Sequence, residues 1–182
     1  VINHCSWYFP QFSDVVEKGE SSEYANWFYR LQFPVIRPAT EEEKPTYSCF
    51  AYERKMPKLN SSNPEERAYF MEVCRYWIRE FKVDGWRLDV ANEVDRGFWR
   101  DFHRAAHEEN PESVMIGEIW ESSETWLNGD MFDSTMNYDF RKNCRDFFAL
   151  RKISAEEFHD RIVKMLLRYR TGTLRGQLNL LD

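Results

Sequence analysis

Apolar residues recur with two different periods along this chain, and the change falls near residue 63. Residues 1–63 carry aromatics at irregular positions, prolines at 10, 34, 38, 45 and 57, and an acidic run at 41–43, with no sustained period. They read as the end of a strand followed by a long inserted loop or small subdomain. From Asn63 the pattern is regular. Asn63 and Pro64 form an N-cap with proline at the first helical position, and Phe70, Val73, Cys74, Trp77, Ile78 and Phe81 follow at helical spacing, predicting a helix that ends near Lys82. A strand is expected over 83–90 and a helix over 95–109 burying Phe98, Phe102, Ala105 and Ala106. A second strand follows over 113–120, after the break supplied by Asn110-Pro111. Beyond it come a short strand near 132–138, helical character over 140–150, and a helix capped by Ser154 and Glu157 with Phe158, Ile162, Met165, Leu166 and Tyr169 as its stripe. Gly172 and Gly176 flank a turn into a last strand over 177–181. Strands alternating with helices of this length predict a parallel sheet covered by helices, here 64–182 as successive β/α repeats.

Two carboxylates interrupt this pattern. Asp89 in DGWRLDVANEVD (84–95) and Glu118 in MIGEIW (115–120) each sit in or just after an apolar stretch rich in β-formers, where an acid needs a reason to be. One helical segment separates them, so they read as the ends of two neighbouring parallel strands aimed at one site. Two carboxylates over a common cleft are the minimum apparatus for glycoside hydrolysis. Arg87, two residues before Asp89, projects to the same side of the strand, and its guanidinium would favour the charged carboxylate of a nucleophile. Ile116, Ile119 and Trp120 surround Glu118, and their desolvation is expected to raise its pKa and hold a proton for the leaving group. Taken alone, an Arg-x-Asp pair at a strand end also reads as a structural salt bridge, and Glu118 as a solvated terminus.

Composition adjusts this picture in a few places. With 182 residues, 42% of them hydrophobic, the chain can bury one core, and a net charge of −6 gives no electrostatic reason to expect nucleic acid. No apolar run approaches the length of a membrane span. Four cysteines, Cys5, Cys49, Cys74 and Cys144, lack CxxC spacing and read as reduced thiols of a cytoplasmic protein with no zinc site. Aromatics make up 16% of the chain, enough to line a sugar groove as well as fill a core, and Trp7, Trp27, Phe28 and Trp120 are the candidates for such stacking.

The residues resemble the α-amylase family of glycoside hydrolases, family 13. DGWRLDVANEV is similar to its second signature region, GEIW to the third, and VINH at 1–4 to the end of the first. MPKLN at 56–60 resembles a motif of the branch that holds neopullulanases, cyclomaltodextrinases and maltogenic amylases. Together the four motifs, in order across the whole chain, are highly specific. The resemblance implies part of a (β/α)8 TIM barrel, about strands 3 to 7, with the long insertion following strand 3. It implies Asp89 as nucleophile, Glu118 as general acid/base and Arg87 as the residue that keeps the nucleophile ionised. His4 matches a histidine that binds sugar at the cleavage point, and Asn92 and Glu93 match acceptor-side positions. Trp120 is a further candidate for substrate contact, and Glu121, next along, falls on the acceptor side, where many relatives carry His, which bears on substrate preference. Asn3 matches a position that in some relatives supports a structural calcium ion or the barrel's upper loop. No cofactor is required and no catalytic metal is expected.

The implied activity is hydrolysis or transglycosylation of starch-, pullulan- or cyclodextrin-type α-glucans at α-1,4 or α-1,6 bonds, with retention through a glucosyl–Asp89 intermediate. A third acid is expected beyond Asp182, so the chain reads as a segment of a longer protein, inactive by itself. Relatives of this branch often carry an extra N-terminal β-domain that builds a homodimer, which makes a homodimer of the full-length protein an expectation too. The competing reading is a non-catalytic amylase-like scaffold or ancillary protein.

Overall fold

In the computed structural model, which describes residues 2–40 and 42–180, four parallel strands lie in the order β1-β2-β3-β4 with helices between them. The strands are β1 (Gly85–Leu88), β2 (Val114–Gly117), β3 (Ser134–Asn137) and β4 (Leu178–Asn179). The helices are α1 (Pro10–Lys18), α2 (Pro64–Phe81), α3 (Arg96–Glu109), α4 (Tyr138–Cys144), α5 (Ala155–Arg168) and α6 (Thr171–Arg175), with one π-helical turn over Arg145–Ala149. Sequence order equals spatial order, the arrangement of a singly wound β/α sheet, and each strand end delivers the next residue to the same edge of the sheet.

Local chemistry accounts for the boundaries. The Asn63 side chain accepts from the Glu65 and Glu66 amides at 2.9 and 3.0 Å, and Pro64 needs no partner in the first turn. Lys82 closes α2 in the left-handed region with φ 54°. Asp95 caps α3 through the Phe98 amide, and Ser154 caps α5 through that of Glu157. The return half of the expected capping box is missing because the Glu157 carboxylate pairs with Arg161 at 2.7 Å instead. Strand β1 lies so close to β2 that a Cβ at Gly85 would collide with the Val114 carbonyl, so this position admits only glycine.

The core runs through α3 and the face of β1 and β2 that carries Leu88 and Met115. Phe98, Trp99, Phe102, Ala105, Ala106 and Met115 are fully or almost fully buried, which matches the stripe read for α3 and adds Trp99. The α2 stripe divides. Phe70, Cys74 and Ile78 are buried, whereas Trp77 and Phe81 cluster with Tyr76 on the surface, because α3 covers only one side of the helix.

Three expectations change. The aperiodic first third contains α1, whose buried residues are only Phe12 and Val15, too few to show a period. The strand end expected at 1–4 is, over its described residues, a single antiparallel bridge between His4 and Lys58. The last strand is confined to Leu178–Asn179, and Leu181 lies outside the described residues, as does Glu41 of the acidic run.

Candidate active site

Three strands end beside three candidate side chains. Asp89 follows Leu88 of β1, Glu118 follows Gly117 of β2, and Tyr138 follows Asn137 of β3, so parallel pairing carries all three to the C-terminal edge of the sheet. Arg87 joins them. Its guanidinium pairs with the Asp89 carboxylate through Nη1 and with Glu118 Oε1 through Nη2 at 3.0 Å, so one planar fork holds both acids over the same space.

The backbone between the acids is tightly knitted. The Glu118 amide donates to the Leu88 carbonyl at 2.8 Å, and the Ala91 amide donates to the Glu118 carbonyl at 3.0 Å, extending the β1–β2 ladder past the strand ends. Val90 takes the left-handed conformation at φ 47°, an unfavourable choice for a β-branched residue. That turn aims its N–H at Glu118 Oε2, 3.0 Å away. Trp99, fully buried in α3, holds the same turn by donating its indole N–H to the Ala91 carbonyl at 2.8 Å.

Glu118 is buried, and its pKa departs from expectation in sign. Burial pushes it up as anticipated, but the Val90 amide, the Trp120 indole, the Tyr138 hydroxyl and Asp89 act the other way, and the carboxyl lies below the usual glutamate range. The sequence shows the apolar neighbours and conceals the donors. Tyr138, whose hydroxyl donates to Glu118 Oε1 at 3.0 Å, is the site residue that pattern reading missed. Its signal was available: it stands just after the third strand, as the two acids stand after the first and second.

The remaining candidates divide by location. His4 is buried and stacked on Phe50 with ring centroids 4.6 Å apart. Burial holds its pKa down, with Asp89 the foremost charge acting against that, so His4 lies within the field of the site. Glu93 is engaged through Oε2 by Lys58 at 2.9 Å and by Asn3 at 3.2 Å, which ties MPKLN to the loop after β1. Asn92 is half-buried with an Oδ1 that finds no hydrogen-bond partner among the described residues. Trp120, 51% exposed, shares a groove of about 510 Å³ with Tyr138, Asp139, Arg141 and Lys142, and Glu121 beside it is exposed. Trp27 and Phe28 do not line a groove: both are core residues packed with Tyr69 and Phe12. Trp7 is half-buried and donates its indole N–H to the Tyr47 hydroxyl at 2.5 Å.

The family model of the alpha amylase catalytic domain matches residues 1–177. This chain belongs to that family. Over its full length it is 44% identical to a cyclomaltodextrinase of Thermoanaerobacter pseudethanolicus and 43% identical to neopullulanase 2 of Thermoactinomyces vulgaris and to the intracellular maltogenic amylase of Bacillus subtilis. Among solved structures, the cyclic α-maltosyl-(1→6)-maltose hydrolase of Arthrobacter globiformis, in complex with that cyclic sugar, superimposes on the whole chain with a TM-score of 0.93 at 37% identity. A cyclomaltodextrinase structure does so with a TM-score of 0.92 at 42% identity. The chain spans 31% and 30% of the two curated relatives named first, and 40% and 30% of the two structures. The parallel sheet and its helices are thus a segment of the family's barrel, with the candidate site at the edge where barrel enzymes place their chemistry.

Proposed function

We propose that this chain forms part of the catalytic domain of an α-glucan hydrolase or transglycosylase that cleaves α-1,4- or α-1,6-glucosidic bonds with retention of configuration. The observation that carries the reading is the single Arg87 guanidinium bridging Asp89 and Glu118 at the ends of adjacent parallel strands. A scaffold has no use for an arginine-braced anion beside a second buried acid, and the names of the relatives point the same way.

In the first step the Asp89 carboxylate attacks the anomeric carbon, the glycosidic C–O bond breaks, and Glu118 gives its proton to the departing oxygen. In the second, Glu118 takes a proton from water or an acceptor hydroxyl, whose oxygen displaces Asp89. The acid must hold a proton for the first step, whereas the ligand-free arrangement favours its anion. Substrate resolves the conflict. A glycosidic oxygen that enters between Glu118 and its donors breaks those hydrogen bonds and leaves the desolvation that favours the neutral acid. His4 and Trp120 contact the sugar at the cleavage point, and Asn92, Glu93 and Glu121 lie on the acceptor side. Four free thiols and the intracellular maltogenic amylase among the relatives support an intracellular setting. These 182 residues hold two of the three acids that the family resemblance implies, so we expect little or no turnover from them alone.

Glu118→Gln in the longest natural form of the protein tests the acid role. Activity on natural glucans is expected to fall by about 10²–10⁴-fold, while activated aryl glucosides, which need no protonation, are largely spared in the first step. Equal losses on both substrate types would remove Glu118 from that role.

A further inference from the structure

His103 and His107 stand one turn apart on the last turns of α3, their rings stacked with centroids 4.0 Å apart, and Asp133 lies opposite them just before β3. One ligand-capable atom from each of the three falls within 4.8 Å of the other two. Histidines at i and i+4 on one helix face are a familiar way of presenting two imidazole nitrogens to one ion. The geometry points to a structural metal site here, His103, His107 and Asp133 holding a divalent transition ion, zinc first, with a fourth position open to water.

The surroundings suit the ligands. His107 Nδ1 lies 2.9 Å from the His103 carbonyl, so its proton belongs on Nδ1 and the lone pair on Nε2, the orientation that metal-bound histidines show. Asp133 is fixed on both sides by Met115 of β2: its amide donates to the Met115 carbonyl at 3.0 Å and its Oδ2 accepts the Met115 amide at 2.8 Å. Two imidazoles and one carboxylate suit zinc, and without a thiolate the soft-metal alternatives lose their preferred ligand. Asp130 acts electrostatically on His103 and carries a buried Oδ1 without a hydrogen-bond partner among the described residues, its other oxygen pairing with Arg100 at 2.6 Å.

The location decides the role. Asp133 precedes β3, whereas Asp89, Glu118 and Tyr138 follow the C-terminal ends of their strands, so the ion would sit at the opposite end of the sheet from the acids. A metal there clips α3 to the loop between β2 and β3 and contributes stability without touching substrate. In the sequence, HRAAH at 103–107 carries the two histidines at this spacing.

Zinc titration of the longest natural form, followed by calorimetry and thermal unfolding, tests the site. One equivalent is expected to bind and, at a hundredfold excess over the dissociation constant, to raise the unfolding midpoint by roughly 5 °C or more, reversibly with chelator. His107→Gln is expected to weaken binding at least about a hundredfold, the upper end of the loss from an outer partner. Asp133→Asn, which can still accept the Met115 amide, should also lose the zinc-dependent shift, while the exposed His159→Gln on α5 should keep it. Bound cobalt should show a four-coordinate spectrum free of thiolate charge transfer. Absence of one-equivalent binding, undiminished binding in His107→Gln, or thiolate bands from the cysteines would each overturn the site.

Discussion

Glu118 is held as an anion by donors on three sides, and each has a separable effect. Tyr138→Phe removes one hydroxyl and nothing of the ring. That hydroxyl stabilises the charged carboxylate, so without it the Glu118 pKa should rise toward the ordinary glutamate range. With Glu118 as the proposed acid of the first step, the alkaline limb of kcat/KM against pH should move upward in Tyr138→Phe. An unmoved limb would mean that Tyr138 does not set the protonation of the acid. Both acids were legible from sequence because each breaks an apolar β-rich stretch, and Arg87 because strand alternation fixes its side. The sign of the Glu118 shift was not, because the Val90 amide comes to it through a left-handed backbone turn that no residue type announces.

At the scale of elements, the first turn of α2 contains an oddity that periodicity could not reveal. Glu66 is completely buried, both carboxylate oxygens lack hydrogen-bond partners among the described residues, and burial pushes its pKa up to about 8. The folded state therefore binds a proton that the unfolded chain releases near its ordinary value of 4.5. Stability contributed by the neutral form is present below that value, falls as pH rises through the interval, and levels off above about 8, a loss on the order of a few kcal/mol. Glu66→Gln should abolish this decline, so its advantage in melting temperature over the parent should grow from pH 5 to pH 8; parallel profiles would refute the assignment. Capping residues marked two helix starts in sequence, Asn63 and Ser154, both accepting the amides expected of them, while Asp95 caps α3 without having been singled out. Helix α1 stayed hidden because two buried residues among nine establish no stripe.

Across the whole molecule, β/α alternation in the sequence predicts the parallel sheet, and the family resemblance adds the barrel order that the strands show. What pattern could not supply was the depth of the tryptophans: Trp27 is 5% and Trp120 51% exposed, and aromatic composition treats them alike. The sheet brings the two acids together, and the chain spans 31% of the Thermoanaerobacter cyclomaltodextrinase and 40% of the Arthrobacter hydrolase structure. No described helix is long and apolar enough to cross a membrane. The central claim is that Asp89 forms a bond to glucose while Glu118 manages the proton. Mechanism-based trapping of the longest natural form with a 2-fluoro glucosyl fluoride, followed by peptide mapping, tests it most directly. The expected result is one glucosyl adduct per active site, carried on Asp89; an adduct on any other carboxylate, or none while natural substrate is still turned over, would contradict it.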